Sequence, residues 1–219
     1  MSDGTAAATA AAAATATAVA AAAVTARTVL PTATPPAARA LGDMALWFDV
    51  QAFLAMEARL LDDQHLHQWV ALFTDDVRYW MPIITNRTGR DLGKERTAFG
   101  ELAHFEENKT SLTNRVRRLD TGMAWAETPP SRVRHLVTNV EVMARLNDTE
   151  ISVRSNFLIY RSHLEYDCEV FAGMRDDVLR RVSSGTDAGA GSDAGWQIAK
   201  RTIILDQSVV TQKNLGIFF

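Results

Sequence analysis

Five histidines and one cysteine are the only imidazole and thiol groups in this chain of 219 residues. They are His65, His67, His104, His135, His163 and Cys168. Redox chemistry on oxygen or on an unactivated ring needs a metal or an organic cofactor. A Rieske cluster needs two cysteines and two histidines, so a single thiol does not hold one. A mononuclear non-heme iron takes two histidines and a carboxylate. His65 and His67 form the only close pair, but they lie in a segment with helical periodicity, where residues two apart face different ways. They read as exposed or capping residues rather than ligands. His104 precedes Glu106 and Glu107, and two adjacent carboxylates are explained by a helix start.

His135 has the best claim to acid–base chemistry. It sits in an alternating segment and would face inward with an Asp or Glu as partner, its pKa tuned by burial. The simpler reading is a hydrogen-bonded strand histidine. Cys168 falls among alternating strand residues and reads as a small buried filler. No nucleophile elbow, dinucleotide-binding glycine motif or phosphate loop occurs.

The elements that must position these groups follow from periodicity. Met44–Leu61 is predicted helical, with Gly42-Asp43 as its N-cap and Trp47, Val50, Leu54 and Leu61 near one face. Phe53 and Leu60 widen that face. A short second helix follows Asp62-Asp63, carrying Leu66, Trp69, Val70 and Phe73 inward. Val77–Met81 has strand propensity, and Pro82 marks its end or an edge. Thr85–Gly100 reads as a loop and Glu107–Leu119 as a third helix. The period then changes to two. Val133–Leu146 and Ile151–His163 are long strands joined at Asn147-Asp148. Tyr166–Arg180 is a third, with Gly173 as a bulge. Ser183–Gly195 is a loop, Trp196–Thr211 the last strand and Asn214–Phe219 an apolar end. Helices followed by antiparallel strands indicate an α+β fold.

Composition narrows the partners. A net charge of −3 gives no electrostatic case for nucleic acid. One cysteine excludes an intramolecular disulfide and is compatible with a reducing cytoplasm, the expected location. Residues 4–26 are uncharged and nearly all Ala, Thr and Val. They lack the Leu, Ile and Phe that drive membrane insertion and the positive start of a secretory signal. With Pro31, Pro35 and Pro36 behind them, residues 1–40 read as a disordered low-complexity extension before a domain spanning residues 41–219.

Several blocks carry a family resemblance in collinear order. They are FLAMEARLLD from Phe53, LFTDDVRYWMP from Leu72, AHFEENKTSL from Ala103, RVRRL from Arg115, AWAETPPSRVRHLVTNV from Ala124, SNFLIYRS from Ser155, FAGMRDDVLRR from Phe171, IAKRTIILDQS from Ile198 and NLGIFF from Asn214. The chain resembles the small (beta) subunit of aromatic-ring-hydroxylating dioxygenases, with wording nearest the biphenyl, toluene and benzene types. Glu106-Glu107 stands where many relatives have Asp-Asp, and the extension is longer than is usual there. The resemblance implies a cystatin-like cone, a curved sheet wrapped around N-terminal helices. It implies no catalytic, cofactor or metal site in this chain. It implies a large (alpha) subunit bearing a Rieske [2Fe-2S] cluster and mononuclear iron, served by NADH through a reductase and a ferredoxin. The product would be a cis-dihydrodiol, and the small subunits would form a trimer within a three-plus-three hexamer.

Residues suited to subunit contacts are Arg154, Asn156, Tyr160, Arg161 and Arg201 on the strands, and Phe218 and Phe219 at the apolar end, packed on the core or a neighbour. Two other readings stay open. One is a stand-alone cone-fold dehydratase or isomerase using His135. The other is a small-ligand-binding module.

Overall fold

Long runs of alternating residues build a single six-stranded sheet, in a computed structural model that describes residues 41–91, 93, 95–122, 124, 127–182, 195–210 and 215–219. The side chains of residues 41–43 are outside that description. So are the extension of residues 1–40 and most of the expected 183–195 loop. The compact unit is Gly42–Phe219. Its elements are α1 (Leu41–Asp62), α2 (Leu66–Ala71), β1 (Phe73–Pro82), β2 (Ala103–Glu107), α3 (Lys109–Asp120), β3 (Arg132–Arg145), β4 (Glu150–His163), β5 (Asp167–Arg181) and β6 (Trp196–Leu205). The sheet order is β2-β1-β6-β5-β4-β3. Among the described strands only β1 and β6 run parallel to each other.

The α+β fold and the cone are both present. Odd-numbered residues of β4 and β5 turn inward from Ile151 to His163 and from Phe171 to Leu179, and even-numbered ones turn outward. The inward face wraps α1, whose Leu46, Val50, Phe53, Leu54, Ala58 and Leu61 are buried. Leu46 thus takes the place expected of Trp47, which is partly exposed and donates from Nε1 to the Val140 carbonyl at 2.9 Å.

The expected boundaries need several corrections. Gly42 and Asp43 lie inside α1 rather than capping it. Glu106 and Glu107 belong to strand β2, not to a helix start. Helix α3 is capped instead by Asn108, which accepts from the Ser111 N–H, while Ser111 Oγ accepts from the Asn108 N–H. This reciprocal box satisfies two donors that the helix leaves free. Strand β1 begins at Phe73, four residues before the expected start, and β6 ends at Leu205.

Gly173 is not a bulge, for it pairs in unbroken register with Phe157 and Leu205. A Cβ there would stand 2.1 Å from the Ile204 carbonyl oxygen and 2.8 Å from Phe157 Cζ. The glycine permits backbones and an aromatic ring to close up.

Residues 217–219 enter the cone. The Phe219 ring meets Phe157 and Phe171 edge-on at 5.9 and 5.6 Å, and Phe218 lies 4.5 Å from Trp69. Gly173→Ala should therefore lower the unfolding free energy by roughly 1–3 kcal/mol, the usual cost of overpacking. Urea midpoints of the two proteins check it, and an unchanged midpoint refutes the close approach.

Candidate functional site

A carboxylate sits at the centre of the apolar face of α1. Glu57 is fully buried, one helical turn from Phe53 and from Leu61. Such a charge is costly unless paired. The sheet supplies the partners by register. Tyr79, Arg201 and Asp177 stand side by side on β1, β6 and β5, all on the inner face. Arg175 lies one inward position along β5.

Glu57 accepts from Arg201 Nη1, from Arg201 Nη2 at 3.0 Å, from Arg175 Nη1 at 3.1 Å and from Trp69 Nε1 at 3.1 Å. Arg201 also donates to Asp177 from Nε at 3.0 Å and from Nη2 at 2.8 Å. Its Nη1 reaches the Phe219 backbone oxygen at 3.1 Å. Tyr79 donates to that same oxygen at 3.0 Å and accepts the Phe219 N–H at 2.9 Å. Two guanidinium and two carboxylate groups thus close a neutral network.

Burial alone would raise the Glu57 carboxyl. The Arg201 and Arg175 charges and the hydrogen bonds outweigh it, bringing its pKa from 4.5 to about 2. Burial likewise pushes the Tyr79 phenol up to about 12. Arg175 is less well served. Its Nε and Nη2 have no partner, and burial lowers its pKa.

His135 does face inward with a carboxylate beside it. Its Nδ1 is 2.7 Å from Asp62 Oδ1, which also accepts the His135 backbone N–H at 2.9 Å. Its Nε2 is 3.1 Å from the Phe218 carbonyl oxygen. Both ring nitrogens therefore have an oxygen partner within the chain. The histidine ties α1, β3 and the 217–219 segment together.

The remaining donors are dispersed. His67 Nε2 is 2.9 Å from Asp120, and His163 Nε2 is 3.0 Å from the Pro129 carbonyl oxygen. His65 is exposed at the start of α2 and makes no side-chain cap bond. His104 lies on β2, where partial burial lowers its pKa. Cys168 is exposed rather than buried, and its thiol lies 2.9 Å from the Tyr160 hydroxyl. Among the described residues no group of three His, Cys, Asp or Glu could hold a metal ion. These donors do not fit a Rieske cluster or a two-histidine iron site.

The expected contact residues divide in two. Arg201, Phe218 and Phe219 are committed to the cone interior. Arg161 is buried as well, donating to Glu127 and Glu169 at 2.7 Å each and to Ser131 at 3.0 Å. Odd parity on β4 turned it inward. These four side chains are buried within the chain. Arg154, Asn156 and Tyr160 are on the outer face. Arg154 forms a two-pronged pair with Asp176 at 2.7 and 3.0 Å. Around Tyr160 lies an apolar patch missed in the sequence. Leu136 pairs with Leu158, and Tyr160 with Val170, and all four side chains are exposed.

Comparisons with known proteins give a consistent picture. The family model for the ring hydroxylating beta subunit matches residues 56–212. Biphenyl 2,3-dioxygenase subunit beta of Rhodococcus jostii (strain RHA1) is 38% identical over 177 residues, covering 81% of this chain and 90% of that one. Benzene 1,2-dioxygenase subunit beta of Pseudomonas putida is 39% identical over 174 residues, covering 80% and 89%. A chain of naphthalene 1,2-dioxygenase, solved with indole bound in the active site, has the same fold. Its TM-score is 0.68 at 24% identity, covering 81% of this chain and 87% of that one.

The Glu57 network generates a prediction. Glu57→Gln leaves two buried guanidinium groups with the Asp177 carboxylate alone and should cost roughly 3–5 kcal/mol of stability. Because the folded carboxyl titrates near 2 against an ordinary 4.5, its contribution is full above 4.5 and is lost as pH falls towards 2. Denaturant unfolding from pH 5 down to about pH 2 should show that loss in the wild type and a shallower slope in the variant. Parallel slopes would remove Glu57 as the source.

Proposed function

The chain belongs to the ring hydroxylating beta-subunit family, and from that premise we propose its place in a larger enzyme. It is a non-catalytic structural subunit of a multicomponent aromatic-ring-hydroxylating dioxygenase. The complex takes an aromatic hydrocarbon, dioxygen and NADH to a cis-dihydrodiol. The alpha subunit carries the Rieske [2Fe-2S] cluster and the mononuclear iron, and NADH delivers electrons through a reductase and a ferredoxin. Residues 41–219 carry the supporting role, without need of residues 1–40. The complex is cytoplasmic, and no described helix is long and apolar enough to cross a membrane.

The observation that carries this reading is that the inward acid–base groups are committed within the chain. An acid–base enzyme of this fold needs an inward group free to move a proton. Here the interior is occupied by Phe218 and Phe219, Glu57 is locked between two arginines, and His135 has both nitrogens engaged. A rigid body with an apolar outer patch suits a scaffold. Leu136, Leu158 and Val170 lie beside Tyr160, with Asn156 and Arg154 further along β4. We assign this face to contacts with other subunits in a three-plus-three hexamer, where exposed apolar side chains gain burial.

Co-expression with an alpha subunit from the same source tests the role. The expected result is a hexamer with Rieske absorption and dihydrodiol formation, while the purified chain alone shows neither. Ring hydroxylation by the chain alone would overturn the reading. The surface has its own test. Leu136→Asp with Leu158→Asp should yield folded chains of wild-type circular dichroism that fail to assemble in gel filtration. Unimpaired assembly would clear this face of the role. Deleting residues 1–40 should leave assembly unchanged.

A further inference from the structure

We propose that the cavity where the α1–α2 corner meets the end of α3 and the start of β3 binds a small neutral hydrocarbon of one or two rings. This goes beyond scaffolding, for it gives the chain a ligand of its own. The cavity has a volume of about 240 Å³. Its apolar walls are Leu61, Leu66, Leu119, Val133, Ile217 and Phe218. An engineered cavity of roughly 150 Å³ with such walls stays dry and accepts benzene. The space here therefore suits a substituted single ring or a fused pair.

The polar side chains at its margin decide the class of ligand. Glu127 accepts from Arg161 at 2.7 Å and from Ser131 at 2.6 Å. Thr128 donates to the Ala124 carbonyl at 3.2 Å. His135 is held by Asp62 and by the Phe218 carbonyl. The buried side-chain atoms without partners, on Trp80, Arg175 and Gln207, do not line this cavity. An ordered water needs two to four polar partners, and Glu127, Ser131, Thr128 and His135 already have partners within the chain, while Gln64, the other polar side chain of the lining, is exposed. A hydrocarbon enters without leaving any of them unmet. An anion would be brought towards Glu127, and a cation would find that carboxylate already neutralised by Arg161.

The test uses the full chain with toluene and naphthalene as probes and benzoate as the charged control. Ligand-observed NMR should show saturable binding of both hydrocarbons. Benzoate should bind about tenfold more weakly or not at all, since its charge would be desolvated. Leu66→Trp and Leu119→Trp, which fill the space from half-buried positions, should each weaken toluene binding by about tenfold or more, whereas Leu158→Trp on the outer face should not. Methyl resonances of Leu61, Leu119 and Ile217 in the wild type should shift on titration, which decides the matter even where a variant folds poorly. No saturable hydrocarbon binding, equal affinity for benzoate, or methyl shifts confined to other residues would overturn the proposal.

Discussion

One buried negative charge organises the cone. Glu57 has no exposure, so α1 docks only where two guanidinium groups await it. Arg201 in turn is tolerable only because Asp177 stands beside it on the neighbouring strand. The four charges sum to zero, and each fixes the position of another. Networks of this kind specify an arrangement more than they add net stability, since desolvation offsets most of the Coulomb gain. A slip of β6 by one residue would turn Arg201 to the outside and leave Glu57 facing apolar side chains. The network therefore sets the register of β5 and β6 and the depth of α1 together. It also sets the end of the chain, through the Phe219 backbone oxygen held by Arg201 and Tyr79.

This explains why the interior supports rather than reacts. A catalytic cone keeps a polar group inside with unfilled hydrogen-bonding capacity and room for substrate beside it. Here the Glu57 and Asp177 carboxylates and the His135 ring are paired within the chain, and the unfilled capacity belongs to Arg175 Nε and Nη2. Arg115 shows the same habit. It bonds Glu107 and the Ile217 carbonyl while lying between the rings of Phe105 and Phe218. Aromatic rings and a guanidinium plane pack around Tyr79 and Arg201.

The exterior is managed differently. Strand β3 is a sheet edge, and its register is broken twice, between Thr138 and Glu141 and between Val142 and Ala144. Asn139 adopts a positive φ of 50° in the first break. Helix α1 covers part of that edge, with Asp62 taking the His135 N–H and Trp47 bonding the Val140 carbonyl. Such edges resist pairing with another sheet. The broad outer face, where Leu136 and Leu158 stand in register, is exposed.

Much of this was legible in the residue pattern. The α+β order and the long β3–β4 hairpin follow from periodicity. The family followed from nine collinear blocks. The alternation even held the clue to the network, because Arg175, Asp177 and Arg201 share a parity with Phe171, Leu179 and Ile203. Glu57 likewise fell on the apolar stripe of its helix. A charge on a buried stripe announces that a partner exists, but not which one. That choice depends on which strands become neighbours, and β1 and β6 are joined across more than a hundred residues. Tertiary structure alone brought Tyr79, Arg201 and Asp177 into one row and drew residues 217–219 into the cone. The sequence by itself determined the helices and the alternating sides of the long strands, but not strand β2. Pairing over long separations decided which charges meet, because that is settled by packing and desolvation rather than by local propensity.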